Sequence, residues 1–292
     1  MIFTRRFVGR AILQFSFLAV AFAPACAYAD SILSPIGPVG RGDATIMIDA
    51  LVIMLAIVIP TMIATLAFAW WYRASNTRAV YRPDFVYSGK IELVVWSIPA
   101  LTIFFLSGVI WIGSHMLDPF EPIPSKVKPL EIEAVSFDWK WLFIYPDQKI
   151  ATVNQLVVPV GRPLHFRITS ASVFNVFFVP RLGSMIYAMN GMVTQLNLQA
   201  DKPGKYLGFS AHFSGDGFPD MRFDPVAVPP DKFASWAAGV KGATLDRAAI
   251  NGLLKQSRAV KPYAYRGVDP ALFDAIAAQK VPPGEGPNGG AP

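Results

Sequence analysis

The chain has 292 residues, of which 53% are hydrophobic and only 16% are charged, against about 25% charged in an average soluble domain. The formal net charge is +6, but Lys and Arg do not gather into a run of the kind that binds nucleic acid. The one cysteine, Cys26, excludes an internal disulfide and a multi-cysteine metal site. This composition predicts a membrane anchor that carries a soluble domain.

Residues 1–29 have the pattern of a secretory signal peptide. Three arginines precede an apolar run at 11–25 that is too short for a good membrane span. Residues 27–29 read Ala-Tyr-Ala, which is typical of a cleavage site, while the small residues before Cys26 are a poor version of the signal for a lipid-modified cysteine. Both processing sites stay open, and a lipid on Cys26 would add little to two membrane helices.

A hairpin of two membrane helices is predicted at 49–72 and 92–114. Their apolar parts, 50–72 and 93–113, contain no formal charge, and each reaches the roughly 20 residues that span a bilayer. The preceding segment, 30–48, is rich in Pro and Gly and is expected to be an extended lead-in, with Asp43 as a candidate helix cap.

The loop between the two helices, 73–91, predicts the orientation of the chain. It carries four basic residues, Arg73, Arg78, Arg82 and Lys90, against one acid, Asp84. Positive loops stay in the cytoplasm, so everything after the second helix is expected to lie outside, in the periplasm. Two helices alone bury little surface, which favours packing against a larger membrane partner over a self-sufficient anchor.

An all-β domain is predicted at 129–230, after a proline-spaced linker at 115–128. Seven segments alternate or are rich in β-forming residues, with Gly and Pro between them: 130–135, 155–160, 164–170, 174–179, 193–198, 205–213 and 221–228. The aromatic-rich region 231–280 predicts short helices at 231–238, 245–257 and 270–279. The Gly/Pro-rich tail, 281–292, is expected to be disordered.

Three motifs resemble subunit II of haem-copper respiratory oxidases: 92–99 with Trp96, 138–141 (DWKW) and 177–184 (FFVPRLGS). The similarity is greatest to the cytochrome o type ubiquinol oxidases, the branch without copper in this subunit. The resemblance implies a two-helix hairpin and an external cupredoxin-like β-barrel with no metal of its own. The haems and copper are then expected in partner subunit I.

The copper branch of this family carries the pattern C-x-E-x-C-x-x-x-H-x-x-M, which falls here on Ser210, His212, Ser214, Phe218 and Met221. Only the methionine is kept, and an upstream family histidine aligns with Asn175. Hydroxyl groups cannot replace the soft thiolates on which such copper sites depend. These positions are therefore expected to be vacated. His115, His165 and His212 share no metal-binding spacing.

Three further side chains take their expected roles from the resemblance. Trp139 and Trp141 flank Lys140 and would share one face of a strand; the first lies near the electron entry point in the copper branch, and here both are interpreted as packing groups. Glu92 lies seven residues before Pro99, as does the family's glutamate at the mouth of a proton channel. The alternative for Glu92 is an interfacial acid paired with a nearby cation.

The function that follows is subunit II of a proton-pumping oxidase that oxidises ubiquinol and reduces oxygen to water. Expected partners are subunit I, further small membrane subunits, ubiquinol and membrane lipid, in the bacterial inner membrane. Cytochrome c is not expected, because the β domain is slightly basic and a basic cytochrome needs an acidic face. The alternatives are a copper-bearing cytochrome c oxidase subunit II and a tethered β domain without redox activity.

Overall fold

The computed structural model describes residues 31–80 and 82–282. The expected signal peptide with Cys26, and the tail from residue 283 onward, lie outside the described residues. Two long helices come first, α1 (Pro38–Trp71) and α2 (Gly89–Met116). Both are long and apolar enough to cross a membrane. The predicted order of two apolar helices, a β domain and short C-terminal helices is confirmed.

Helix α1 starts earlier than its apolar composition indicates. Pro38 occupies its first turn, a position that proline favours because it needs no backbone donor there. Residues 38–48 are therefore helical, and the expectation of an extended segment throughout 30–48 is wrong for them. Asp43 lies inside the helix and does not cap it; the cap position is Gly37. At 34 residues the helix is about 51 Å long, so its first turns extend beyond a hydrocarbon core of about 30 Å.

The two helices run antiparallel and touch at small residues near the ends that lie beside the β domain. Gly113 packs against the Ile46 side chain, and Gly42 packs against Leu117, which lets the backbones approach closely. Along the rest of the hairpin, large apolar side chains such as Leu66, Phe104 and Trp111 are more than 60% exposed. Such a surface requires lipid or another protein around it.

In the described residues, twelve strands form two packed sheets. The first sheet has the order β12-β3-β2-β1-β5-β8, and the second β4-β11-β10-β6-β7, with β9 paired to β11. Two pairs, β1 with β5 and β4 with β11, are parallel. The strands are β1 (Leu130–Phe137), β2 (Lys140–Tyr145), β3 (Ile150–Val153), β4 (Gln155–Pro159), β5 (Pro163–Ser170), β6 (Asn175–Phe178), β7 (Ile186–Ala188), β8 (Thr194–Gln199), β9 (Gly204–Lys205), β10 (Gly208–Ser210), β11 (Arg222–Val228) and β12 (Tyr263–Arg266).

Four of these strands, β2, β3, β7 and β12, are not among the seven predicted segments. Strand β2 is buried along its whole length, because both faces of the first sheet are covered. A strand buried on both faces shows a continuous apolar run instead of alternation, so the period-two pattern is absent. Strand β12 comes from the C-terminal region and pairs with β3.

The C-terminal region contains α3 (Pro230–Gly239), α4 (Arg247–Leu254) and α5 (Leu272–Ala277). Helix α3 packs beside β4 and against the core between the sheets, whereas α4 and α5 cover the outer face of the first sheet. One core lies between the two sheets, around Trp141, Phe177 and Phe223. A second core joins Leu142 and Ile144 of β2 to apolar side chains of α4 and α5. The domain therefore has three layers, and its last layer is built by the end of the chain.

The start of α1 is fixed to the β domain by paired polar groups. Arg41 forms an ion pair with Asp201 at 2.8 Å, and the Ser184 hydroxyl donates to the Asp43 carboxylate at 3.0 Å. Gly37 lies so close to the Gln199 carbonyl that a Cβ has no room. The start of α1 and the region around the edge strand β8 are thus joined by direct contacts.

Candidate functional site

Four of the positions that align with the copper pattern meet in one buried pocket. Asn175 begins β6, Ser210 ends β10, and Ser214 and Met221 come from the connection between β10 and β11. The Ser210 hydroxyl donates to the Asn175 side-chain oxygen at 2.6 Å. The Ser214 hydroxyl donates to the Met221 sulfur at 4.0 Å. All four side chains are at most 5% exposed, and each of the two pairs makes its polar contact inside the domain.

The other two positions of the pattern face outward. His212 is exposed, with its ring centroid 4.7 Å from that of Phe174. Phe218 is half-buried and packs against Phe213 at 5.7 Å between centroids. The side chains expected at these positions in the copper branch are a glutamate and a histidine. The structure therefore separates these two positions from the buried four.

The donor atoms of the buried pocket do not fit a dinuclear copper centre. They are two hydroxyls, a carboxamide and one thioether, whereas such copper requires thiolate and imidazole ligands. The Ser210–Asn175 hydrogen bond also engages the two groups that would have to turn towards a metal. Nowhere in the part of the chain that the structure describes do three or more His, Cys, Asp or Glu side chains gather into a metal-binding group.

We expect the isolated β domain, residues 126–292, to take up no stoichiometric copper. The reason is the donor set, in which Met221 supplies the single sulfur atom. Metal analysis and visible absorption after copper addition and desalting measure this directly. A purple or blue chromophore that disappears in a Met221→Leu variant would contradict the prediction.

Trp139 and Trp141 occupy different local structures. The expectation that both lie on one strand is wrong, because Trp139 sits in the two-residue turn between β1 and β2 with a φ of +68°. Trp141 is in β2, fully buried between the sheets, with ring centroids of Phe177 and Phe223 at 5.5 and 5.9 Å. Both rings nevertheless belong to the same core.

The surroundings of Trp139 include groups that the sequence patterns do not reveal. Its indole N–H donates to the Ser214 carbonyl at 2.9 Å, and the Arg258 guanidinium lies 5.5 Å from its ring centroid. Arg258 also pairs with Asp216 at 3.1 Å. These contacts join residues far apart in the chain, and no local spacing or composition signal marks Arg258 as their partner.

Lys140 is the second unpredicted group at this end of the domain. Its residue is 2% exposed, and its ammonium donates to the Lys255 carbonyl at 2.7 Å and to the Ser257 hydroxyl at 2.5 Å. Burial lowers the pKa of Lys140 to about 8, and the charge of Asp138 opposes this shift. The unusual position of Lys140 between two tryptophans is visible in the sequence. Its burial is not, because it depends on contacts with the C-terminal region.

The lowered pKa of Lys140 predicts a stability change in alkaline solution. Between pH 8 and 10.5, its folded and ordinary values, the unfolded chain holds more protons on this group than the folded chain does. The contribution of Lys140 to the free energy of unfolding therefore rises with pH across this window. Urea unfolding of the isolated domain at pH 7.5 to 10 should show wild type gaining stability relative to Lys140→Met. A constant difference between the two proteins would contradict the shift.

Glu92 lies in the first turn of α2 and is exposed. Its backbone N–H donates to the Ser88 carbonyl, and Pro99 stands two turns further along the helix. No ion pair of Glu92 with Lys90 or an arginine is found in the described residues. The Glu92 carboxylate is thus exposed at the end of α2 that follows the basic loop 73–91.

The other two histidines, His115 and His165, have hydrogen-bond partners within the chain. His115 Nδ1 lies 2.8 Å from the Trp111 carbonyl oxygen. His165 Nδ1 lies 2.5 Å from a Glu131 carboxylate oxygen, and its Nε2 lies 3.3 Å from the side-chain oxygen of Gln195. These contacts bring no second histidine to either ring.

Known proteins match this chain at two levels: a family matches part of the β domain, and whole subunits match most of the chain. The family "Cytochrome C oxidase subunit II, periplasmic domain" matches residues 146–227. Ubiquinol oxidase subunit 2 of Acetobacter aceti is 50% identical over 252 residues, covering 85% of this chain and 82% of the relative. Cytochrome bo(3) ubiquinol oxidase subunit 2 of Pseudomonas aeruginosa is 48% identical over 248 residues, covering 84% and 75%.

Among solved structures, the periplasmic domain of subunit II of cytochrome oxidase from Bradyrhizobium japonicum is 26% identical. It covers 39% of this chain and 95% of its own, with a TM-score of 0.37. The two long matches to whole subunits, at about half of all positions, decide the assignment. The chain therefore belongs to the ubiquinol oxidase subunit 2 family of the haem-copper oxidases.

Proposed function

We propose that this chain is the copper-free subunit II of a proton-pumping oxidase that oxidises ubiquinol and reduces oxygen to water. The observation that carries this is the pocket of Asn175, Ser210, Ser214 and Met221, whose polar groups are bonded to one another. A domain with this pocket has no acceptor for an electron from a soluble protein. Electrons then enter through a lipid-soluble donor, and the haems and copper are held by subunit I.

The position of Trp139 supports the same choice of donor. Its ring is 3% exposed, with Gly217 against one part of it and the Arg258 guanidinium above it. In the copper branch this tryptophan lies near the electron entry point, so a soluble carrier would have to approach it. Here the ring is covered by the chain's own C-terminal segment, which disfavours cytochrome c as the donor.

Subunit I is the proposed partner of two exposed surfaces. One is the apolar flank of α1 and α2, which is uncovered along most of its length. The other is the aromatic-methionine face of the β domain, which starts beside the Ser184–Asp43 contact at the outer end of α1. Its members are at least half exposed: Met185, Tyr187, Met192 and Phe213. Apolar patches of this kind on a membrane-anchored domain mark protein contacts.

Glu92 is proposed to admit protons from the cytoplasm to the oxidase core. A carboxylate at the membrane edge is costly unless solvated, paired or functional. Its exposed position in the first turn of α2, two turns before Pro99, supports this role. The loop 73–91 is then cytoplasmic and the β domain periplasmic, in the inner membrane. Further small membrane subunits and surrounding lipid complete the assembly, and Cys26 is a possible lipidation site.

Donor assays on the purified complex test the proposal. We expect oxygen consumption with ubiquinol and none above background with reduced cytochrome c. Metal analysis should give no copper beyond what the membrane core of the complex accounts for, so the isolated β domain serves as the matched control. Rapid cytochrome c oxidation together with copper in the isolated domain would replace this proposal by a cytochrome c oxidase. A chain that purifies without any haem-bearing subunit would replace it by a tethered domain without redox activity.

A further inference from the structure

The connection between β10 and β11, residues 211–221, has little regular secondary structure and depends on tertiary contacts for its order. Its backbone has one short 3₁₀ helix, Phe218–Asp220. Ser214 and Met221 are buried, while Phe213 is 71% exposed. In the copper pattern this same stretch carries four of the five ligand positions, so a metal would fix it. The donor atoms here do not fit copper, so the connection must be held by other contacts.

The ring of Trp139 makes those contacts on the inner side. Its N–H donates to the Ser214 carbonyl in a buried hydrogen bond of 2.9 Å. The ring also lies against Gly217 so closely that a Cβ at Gly217 would collide with it. Gly217 itself has a φ of −90°, which suits any residue. Glycine is required there by the ring and not by the backbone angle.

The C-terminal segment also contacts the ring. Arg258 lies over the indole and pairs with Asp216 of the connection. The segment is placed there by Lys140, whose ammonium binds Lys255 and Ser257. Trp139 keeps a left-handed φ of +68°, which a bulky residue adopts only where its surroundings enforce it. The contacts of the ring with Gly217 and Arg258 supply that enforcement.

We propose that Trp139, held by Arg258, is the cross-link that orders residues 211–221 in a domain that has no metal there. The connection can then keep Phe213 and His212 in a fixed place on the domain surface without any bound ion. Trp139 is a positioning residue in this role. The inference rests on the proposed absence of copper from the pocket.

Hydrogen–deuterium exchange on the purified complex tests the cross-link. The amides of Phe218, Asp220 and Met221 donate within the connection and report its order. In Gly217→Ala, the peptide spanning 211–221 should exchange at least about fivefold faster, as expected for the loss of one buried hydrogen bond. Gly239→Ala is the matched control, since a Cβ there meets nothing within 4 Å, and it should leave the peptide unchanged.

Three further variants keep the test decisive if Gly217→Ala does not assemble. Trp139→Phe removes the N–H and should also speed exchange of this peptide. Arg258→Ala should speed it about twofold, and Arg258→Lys, which keeps a cation over the ring, should restore wild-type exchange. Unchanged exchange in both Gly217→Ala and Trp139→Phe, or stronger wild-type protection on adding copper(II), would overturn the cross-link. Donor assays on wild type test the proposed function separately, because local exchange does not depend on which donor is oxidised.

Discussion

Replacement of Glu92 by glutamine is expected to slow oxygen reduction with ubiquinol at least about tenfold, as for the loss of a group that transfers protons in a rate-limiting step. Glutamine keeps the size and hydrogen bonding of the side chain but cannot titrate. Glu92 is exposed in the first turn of α2 and contributes nothing to the buried cores. Subunit assembly and haem content should therefore stay normal.

Steady-state oxygen consumption by the purified complex measures this effect, with the haem spectrum as the measure of assembly. Asp84→Asn is the matched control. Asp84 is an exposed acid in the loop that precedes α2, so this variant should have normal turnover. Normal turnover in both Glu92→Gln and Glu92→Ala would show that Glu92 is an interfacial acid without a role in proton entry.

Replacement of Trp141 by alanine is expected to lower the free energy of unfolding of the β domain by about 3–5 kcal/mol, the usual cost of a buried aromatic deletion. Trp141 is fully buried and contacts three phenylalanine rings across the two sheets: Phe143, Phe177 and Phe223. Deletion leaves a cavity where these elements meet. Urea unfolding of the isolated domain, residues 126–292, measures the loss.

Two companion variants separate packing from other effects. Trp141→Phe should cost much less than alanine, because phenylalanine keeps most ring contacts and removes an indole N–H that has no hydrogen-bond partner in the described residues. Phe213→Ala removes a ring that is 71% exposed and should change stability by less than about 0.5 kcal/mol. Equal losses at positions 141 and 213 would contradict the assignment of Trp141 to the core.

The membrane hairpin shows which features of the fold can be predicted from composition and which cannot. Apolar length alone predicts both helices, since a span depends on a continuous run of residues. The start of α1 at Pro38 was not predicted, because its first turns are held by the β domain through Arg41–Asp201 and Asp43–Ser184. Helices that continue beyond the bilayer take their ends from tertiary contacts.

The strands show the same limit. Strand β1 alternates and was predicted, whereas β2 lacks alternation because α4 and α5 cover its outer face. That cover comes from residues more than 100 positions later in the chain, such as Leu253 and Phe273. Burial on two faces is a property of the whole fold.

The sequence by itself determined the vacated copper pattern, because ligand chemistry depends on residue type at fixed spacing: Ser210, Ser214 and Asn175 offer no thiolate or imidazole wherever they lie. Only the tertiary structure decided what occupies that place. The Ser210–Asn175 bond and the contacts of Trp139 with Gly217 and Arg258 join positions 35 to 119 residues apart. Such contacts arise when the two sheets and the C-terminal layer close on one another, and no local pattern encodes them.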